Sequence, residues 1–399
     1  MSTRDDCPHR PPCPGCPRFG ESDLPVEAQR SLDTLAENAG LPRPPIHRAP
    51  GLAHRHRARL AIRGRARSPK IGLFQSGSHR IVDTPSCAVH HPLINEGVRE
   101  LKQAIRETGV APYADRPHRG ALRYVQLVVE RSSERIQVVL VGNGTEPEIL
   151  GMLPKVLDRR LGGRLQGLFF NAQPERSNTI LGPTTIALTG EPSTRESIAG
   201  VDIFFPPAAF GQNHLPLFEH AVDRIGSLIP DRSRITEYYC GVGAIGLGLL
   251  ARSSEIRFNE RSPQGLEGLE RGLAERPTAE RNRARILRGD AGDRLEGLAD
   301  ADLVIVDPPR KGLDAPLLDA LVAAPPRRLI YLACGLPALC KELEVLQHRG
   351  GLRLSGIEAF DFFPFTQHVE TLAWMDRDGE HFAAAPRTES ESPHNDRSS

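Results

Sequence analysis

LIYLACGLPAL, residues 329–339, joins an apolar run to a cysteine and then to a predicted helix that starts near Pro337. The run 329–332 has charge before it and Gly and Pro after it, as a buried parallel strand does. Cys334 therefore falls where a parallel strand gives way to a helix, which is where open α/β sheets bind ligands. A lone cysteine in this position is usually structural. Its interpretation depends on the segments around it.

Two further segments end in carboxyl groups that could act together with Cys334. The apolar stretch 302–306 is followed by Asp307 and two prolines, and the segment 361–370 ends at Glu370. A thiol, an acid at a strand end and a later glutamate match a nucleophile, an orienting group and a base. We therefore predict that Cys334 and Glu370 are catalytic.

Composition limits the class of protein. The chain has 399 residues, 25% of them charged, and a formal net charge of +1, so it is not a nucleic-acid binder by charge balance alone. It lacks the run of about 18 apolar residues that a membrane span needs, and its N-terminus does not resemble a signal peptide. We expect a cytoplasmic protein with no membrane partner. Seven cysteines, an odd number, argue for metal binding or catalysis over a disulfide framework.

The hydrophobic pattern predicts two structured regions. Residues 51–200 read as a mixed α+β domain, with a helix over 93–109 and strands over 121–130 and 135–141. From about residue 230, strands alternate with helices, which predicts a parallel, doubly wound α/β sheet. Its expected strands are 235–239, 255–258, 285–287, 303–306 and 329–332. The predicted division is an arm over 1–50 that carries three cysteines and a helix over 24–39, domains over 51–200 and 201–378, and a disordered tail over 379–399.

Glycines and acids follow the first strands of this alternating region. The segment EYYCGVG, residues 237–243, allows a tight turn at a strand tip, and Glu260 ends the next strand. Asp290 and Asp307 follow the third and fourth strands. A dinucleotide site or a purely structural turn would also explain the glycines. The order of the acids favours S-adenosylmethionine over a nicotinamide cofactor.

The N-terminal arm holds a cysteine array. Cys7, Cys13 and Cys16 have the spacing C-x5-C-x2-C, and Cys87 follows about seventy residues later. Spacing alone does not separate a zinc site from an iron–sulfur cluster.

At these motifs the sequence resembles the RNA 5-methyluridine methyltransferase family, from Cys7 to about Arg377. The family's F-x-Q element is matched at 210–212, its strand with C-G-x-G at 237–243, and its base motif at 361–370. The resemblance implies a class I, Rossmann-like methyltransferase sheet, with Cys334 as nucleophile and Glu370 as base. It also implies that S-adenosylmethionine is bound through Gln212, Tyr239, Gly241, Glu260, Asp290 and Asp307, and a 4Fe–4S cluster through Cys7, Cys13, Cys16 and Cys87.

The sequence departs from the family's nucleophile motif at two positions, and the resemblance does not identify the RNA target. Ala333 and Gly335 replace the Ser and Asn that flank the family's nucleophile, which puts rate or target in doubt. Because Cys7 lies almost at the start, we expect the compact branch that acts on 23S rRNA, without an added N-terminal RNA-binding barrel. We also expect a monomer. A tRNA target stays open. An amino-group methyltransferase and a non-catalytic iron–sulfur RNA-binding protein are the competing interpretations.

The central domain begins with a basic stretch that we expect to contact RNA. Residues 51–80 carry seven Arg and one Lys with no Asp or Glu. Alternation along a strand would place Arg57, Arg59 and Arg63 on one exposed face, where they could bind RNA phosphates. A merely solvated face is the alternative.

Overall fold

The computed structural model describes residues 7–380. Its two larger sheets and the helices that cover them position the site. Within these residues the α-helices are α1 (Val26–Asn38), α2 (Pro92–Thr108), α3 (Leu153–Leu161), α4 (Leu215–Ser227), α5 (Pro263–Ala274), α6 (Thr278–Arg281), α7 (Ala315–Ala323) and α8 (Leu336–Gly350). Short 3-10 helices cover Pro147–Leu150, Gly162–Arg164, Gly246–Leu249, Ala291–Asp293 and Leu295–Leu298.

The strands fall into a central sheet, a hairpin and a C-terminal sheet. They are β1 (Ile46–His47), β2 (Arg57–Arg65), β3 (Ser68–Phe74), β4 (Ile81–Asp83), β5 (Leu122–Glu130), β6 (Arg135–Gly142), β7 (Leu165–Ala172), β8 (Thr184–Gly190), β9 (Thr194–Ile198), β10 (Val201–Phe205), β11 (Arg234–Tyr238), β12 (Glu255–Glu260), β13 (Ala284–Arg288), β14 (Leu303–Val306), β15 (Arg328–Ala333), β16 (Leu352–Phe360) and β17 (Glu370–Arg377).

The C-terminal sheet carries the segment that opened the sequence analysis. Its order is β1-β16-β17-β15-β14-β11-β12-β13. The five strands β11 to β15 are parallel to one another, as predicted, because each is a short apolar run followed by a crossover. An antiparallel hairpin, β16–β17, was not predicted. Strand β17 pairs with β15 and places Thr371 opposite Ala333, so the start of β17 lies beside the end of β15.

The described part of the N-terminal arm packs against this C-terminal sheet. Strand β1 pairs in parallel with β16, and α1 contributes Leu32, which is fully buried, to the same apolar cluster as Leu339 and Leu343 of α8. The apolar spacing of α1 predicted its helix but not the surface that it covers. The arm therefore adds both an edge strand and a covering helix to the sheet that holds Cys334.

The central sheet has the order β4-β3-β2-β5-β6-β7-β8 and one covered face. Helices α2 and α3 pack on that face through Leu101, Ile105 and Leu157, against Leu60 and Ile62 of β2. Helix α2 matches its prediction: the His91 side chain accepts from the second helical N–H, and a left-handed glycine follows its last residue. The opposite face of the sheet bears polar and aromatic side chains, as described below.

Two expectations concern membranes and the tail. Among residues 7–380, none of the helices combines the length and apolar character that crossing a membrane requires. The predicted disordered tail, 379–399, lies outside the described residues from position 381 onward.

Candidate active site

Cys334 follows the last residue of β15, a strand whose six residues are all buried. The turn to α8 occurs at Gly335, so the thiol stands at the carboxyl edge of the sheet and is partly exposed. It lines a cavity of about 600 Å³ at this edge. By contrast, Cys340 is one of the residues of α8 that pack against the apolar cluster beneath the sheet, away from this cavity.

Gly335 is required by the way two loops meet. A Cβ at this position would overlap the carbonyl oxygen of Arg310, which belongs to the loop after β14. The family's Asn cannot fit here without moving one of the loops. The glycine therefore lets the Asp307-to-Arg310 loop lie directly against the cysteine, and this explains one of the two departures from the motif.

Asp307 and Glu370 approach Cys334 from neighbouring strands. Asp307 follows β14, which is hydrogen-bonded to β15, and it lines the cavity. Glu370 begins β17 on the other side of β15, is fully buried, and is not among the residues that line the cavity. Neither carboxyl oxygen of Glu370 has a hydrogen-bond partner. A buried carboxyl group without a partner is costly and is typical of a group that meets its partner in a complex.

Burial and neighbouring charges raise the pKa values of Asp307, Glu370 and Cys334. Burial raises the pKa of Asp307 to about 7. Burial and then the charge of Asp307 raise the pKa of Glu370 well above its usual value. The pKa of Cys334 is about 11, because of burial first and the charges of Glu370 and Asp307 next. Arg310 acts in the opposite direction and lowers the pKa of both Cys334 and Glu370.

All six predicted donor-binding residues line the same cavity as Cys334: Gln212, Tyr239, Gly241, Glu260, Asp290 and Asp307. Tyr239 and Gly241 have left-handed φ angles of 59° and 57°, which fold the strand tip back over the cavity. No atom lies within 4 Å of a Cβ built on Gly241, so its surface is open to a ligand.

Glu260 closes this glycine turn. One carboxyl oxygen accepts from the Gly241 N–H at 2.8 Å, and the other accepts from the Arg261 and Ser262 N–H groups at 2.8 and 2.6 Å. The side chain is therefore fixed, and its remaining lone pairs are available to ribose hydroxyls. Asp290 is more exposed and accepts from Arg261 at 2.8 Å.

Sequence reasoning missed two groups in the cavity. Glu237 was noted only as a substitute in the glycine motif, yet it is almost fully buried, lines the cavity and has one oxygen without a partner. Burial and the charge of Asp307 raise its pKa to about 8. Arg310 donates to His368 at 3.2 Å. Its position directly after Asp-Pro-Pro was the signal that could have identified it.

The four predicted cluster cysteines meet at one place. Cys7, Cys13, Cys16 and Cys87 line a cavity of about 290 Å³ between the arm, the central sheet and the segment 210–213. Even so, residues 7–380 contain no group of three or more His, Cys, Asp or Glu side chains that could hold a single metal ion. The structure therefore supplies four thiols at a common cavity without a compact ion site.

The prediction that Arg57, Arg59 and Arg63 lie on one exposed face was wrong for Arg57 and Arg63. Arg57 is buried and donates to the Ala209 carbonyl at 2.8 Å, because the segment 205–211 covers that end of β2. Arg63 is also buried and forms a two-pronged ion pair with Asp115, at 2.7 and 2.8 Å. Only Arg59 is exposed, and it donates to Gln126 at 2.7 Å.

Known proteins match this chain over most of its length. An uncharacterised RNA methyltransferase of Protochlamydia amoebophila is 33% identical over 93% of this chain and 97% of its own length. Another, from Parasynechococcus marenigrum, is 31% identical over 82% of this chain and 71% of its own. Residues 273–378 match the family described as tRNA (Uracil-5-)-methyltransferase. The chain belongs to this family of RNA (uracil-5-)-methyltransferases.

A solved structure shows the same fold. The tRNA (uracil-54, C5)-methyltransferase of Pyrococcus abyssi, solved with S-adenosyl-L-homocysteine, has a TM-score of 0.70 and 23% identity, over 88% of this chain and 83% of its own. Membership of the family makes the chain an RNA methyltransferase and supports S-adenosylmethionine as its methyl donor. It also decides against an amino-group methyltransferase and a nicotinamide enzyme.

Proposed function

We propose that this enzyme methylates carbon five of a uridine in RNA, through a covalent bond between Cys334 and carbon six of the base. The observation that carries the proposal is the single cavity that Cys334 and all six predicted donor-binding residues line. A cavity of about 600 Å³ falls in the range of small-molecule and cofactor sites. Asp307 is one of the donor-binding residues, and its charge also acts on the Cys334 thiol.

The chemistry requires a nucleophile because carbon five of uracil is too weakly nucleophilic by itself. Addition of the Cys334 thiolate to carbon six converts the ring to an enolate and makes carbon five reactive. Once carbon five has bonded to the methyl group, Glu370 removes the proton that carbon five still carries, and the electron pair expels the Cys334 thiolate from carbon six. Arg310 favours the anionic forms of both side chains.

The residues present fit the methyl donor. Glu260 is held for ribose, Gly241 presents open backbone, and buried carboxyl groups at Glu237 and Asp307 favour a cation. S-adenosylmethionine, when bound, supplies an electrophilic methyl group on a positively charged sulfur. The buried carboxyl group of Glu237 is the feature of this chain that fits such a charge.

Trapping with a fluorinated base tests the covalent step. An RNA substrate in which 5-fluorouridine replaces the target base lacks the proton that Glu370 removes, so the adduct should persist on a denaturing gel. We expect the adduct with the wild-type enzyme and with Cys340→Ala, the matched control, and none with Cys334→Ala. An adduct that survives in Cys334→Ala, or that is absent from an active wild-type enzyme, would refute the assignment.

The target that we propose is a uridine of 23S rRNA, on the strength of the sequence resemblance. A uridine in tRNA is the second candidate, because the matched family and the Pyrococcus enzyme are both named for tRNA. Mapping 5-methyluridine in the RNA of a deletion strain separates the two. Loss of the mark from 23S rRNA supports the first, and loss from tRNA alone supports the second.

We also propose that Cys7, Cys13, Cys16 and Cys87 bind a 4Fe–4S cluster. A zinc ion holds its sulfurs at about 2.3 Å, so its cysteines crowd together, whereas a cluster binds its cysteines through different iron atoms. The four thiols that line one cavity are the donor set that the family resemblance implies for such a cluster. Iron analysis and the visible spectrum of protein purified without oxygen test this. Cys87→Ser should lose iron and colour, whereas Cys240→Ser should keep both.

A further inference from the structure

The face of the central sheet opposite α2 and α3 holds a second large cavity, of about 720 Å³, which we name the central-sheet pocket. Alternation along β2 separates the two faces: Leu60 and Ile62 point into the helix-covered core, whereas Arg59 and Ala61 line the pocket. The donor cavity does not include this pocket, and the chemistry proposed above does not use it.

Aromatic rings form one wall of the pocket and are held in place. The rings of Phe74, Tyr113 and Tyr124 surround the Arg63 guanidinium, at 5.2, 4.9 and 5.2 Å from their centroids. The ion pair with Asp115 fixes that guanidinium. Phe74 and Tyr124 are only partly buried, so they can offer ring surface to a ligand.

The pocket is also positively charged. Arg59, Arg123 and Arg176 line it, and among its described lining residues the sole carboxylate is Asp115, which Arg63 neutralises. Arg123 is 2% exposed and its Nε has no partner, although its terminal nitrogen donates to two backbone carbonyls. Arg176 is exposed and has the freedom to follow a backbone phosphate.

Shared residues place the pocket in line with the active site. Arg59 and Leu73 belong both to the pocket and to the cysteine-lined cavity. That cavity in turn shares Phe210, Gly211 and Asn213 with the donor cavity at Cys334. The three cavities therefore follow one another across the surface. An RNA strand whose uridine enters the donor cavity can therefore reach the central-sheet pocket by passing the site proposed for the cluster.

We propose that the central-sheet pocket binds an unpaired nucleotide of the RNA substrate, at a distance along the strand from the methylated uridine. Its base stacks on Phe74 or Tyr124, and Arg59 and Arg176 contact its phosphates. Stacking surfaces flanked by arginine are how proteins bind single-stranded nucleic acid without reading a duplex. This inference rests on the RNA substrate proposed above.

Two charge variants test the pocket by binding alone. The probe is a fluorescein-labelled oligouridine of roughly 16 nucleotides, with anisotropy measured over a range of salt concentrations. Arg176→Ser removes one phosphate contact, so the negative slope of log affinity against log salt should become shallower by about 0.7. Arg67→Ser, an equal charge change at an exposed position outside the pocket, should leave the slope unchanged. Equal behaviour of the two variants would overturn the proposal.

Crosslinking avoids any variant that fails to fold. Oligouridine containing 5-iodouridine, irradiated with the wild-type enzyme, should label peptides that contain Phe74 or Tyr124. The same labelling is expected with Cys334→Ala, because the pocket is separate from the nucleophile. A methylating enzyme whose crosslinks all lie elsewhere would refute the pocket and leave the proposed function standing. Labelled pocket peptides in an enzyme that methylates no RNA would support the pocket and refute the proposed function.

Discussion

Replacing Glu370 with Gln tests two effects of one side chain. The carboxyl group is proposed to remove the proton from carbon five, and its charge raises the pKa of Cys334. Gln keeps the shape of the side chain and removes both the base and the charge. We therefore expect turnover to fall by a factor of about 10² to 10⁴, the usual contribution of a general base. The methylated RNA should remain attached to Cys334.

The effect on the thiol follows from the pKa of Cys334. A pKa of about 11 leaves about one thiol in a thousand ionised at pH 8. Removing a nearby negative charge lowers that pKa, and each unit of change raises the thiolate fraction about tenfold. Burial raises the pKa of Glu370 well above its usual value, and its charge develops as the pH rises through that pKa. The increase in thiolate should therefore grow with pH.

Two assays check these expectations. Denaturing electrophoresis of enzyme incubated with donor and unmodified RNA should show a protein–RNA adduct for Glu370→Gln and little for wild type. Iodoacetamide should alkylate Cys334 faster in Glu370→Gln, by peptide mass spectrometry, and at the wild-type rate in Glu344→Gln, a control on the exposed face of α8. Normal turnover without an adduct, or slower alkylation, would refute the roles given to Glu370.

Two further substitutions test the packing around the site. Gly335→Ala should lower kcat for methyl transfer by a factor of about 10², because the added Cβ displaces the adjoining loop from the thiol. The control Gly163→Ala adds a Cβ in open space and should leave kcat unchanged. Equal kcat values for the two variants would contradict this reasoning. Arg328→Met should lower the free energy of unfolding in urea by about 3–5 kcal/mol, because it leaves Asp376 buried without its charged partner. The exposed control Arg285→Met should cost no more than about 1 kcal/mol, and an equal loss would show that burial of the pair is unimportant.

The site was predictable to the extent that it depends on strand ends. Apolar runs set the strands, and parallel strands bring their carboxyl ends to one edge, so Cys334 and Asp307 were expected together. Glu370 reaches them by a different route, because β17 runs antiparallel and its first residue lies at that edge. The motif predicted Glu370 as a participant, but strand periodicity did not predict the hairpin that delivers it.

The arginines show where sequence reasoning fails. Alternation correctly separates Arg59 from Leu60, but it does not reveal what covers either face. Arg57 is covered by a segment around Ala209, and Arg63 by Asp115 and aromatic rings far along the chain. Exposure is a property of tertiary packing, so a local charge pattern cannot establish it.

The buried carboxyl groups lead to a prediction about donor binding. Glu237 and Asp307 line the donor cavity with pKa values of about 8 and 7, so both are substantially protonated near pH 6. A bound cation stabilises their ionised forms and lowers both pKa values, so binding releases protons. The affinity for the sulfonium donor should therefore rise between pH 6 and 8, by up to about tenfold per pH unit for each proton released.

The product provides the matched control for this expectation. S-adenosylhomocysteine has the same shape without the sulfonium charge, so its affinity should change much less over the same range. Calorimetry in buffers of different ionisation enthalpy measures both the affinity and the number of protons released. Glu237→Gln, which removes one of the two acids, should reduce proton release by the donor. Equal pH dependence for the two ligands would mean that these acids do not compensate the donor's charge, and another reason would then be needed for the buried carboxyl group of Glu237 at the cavity.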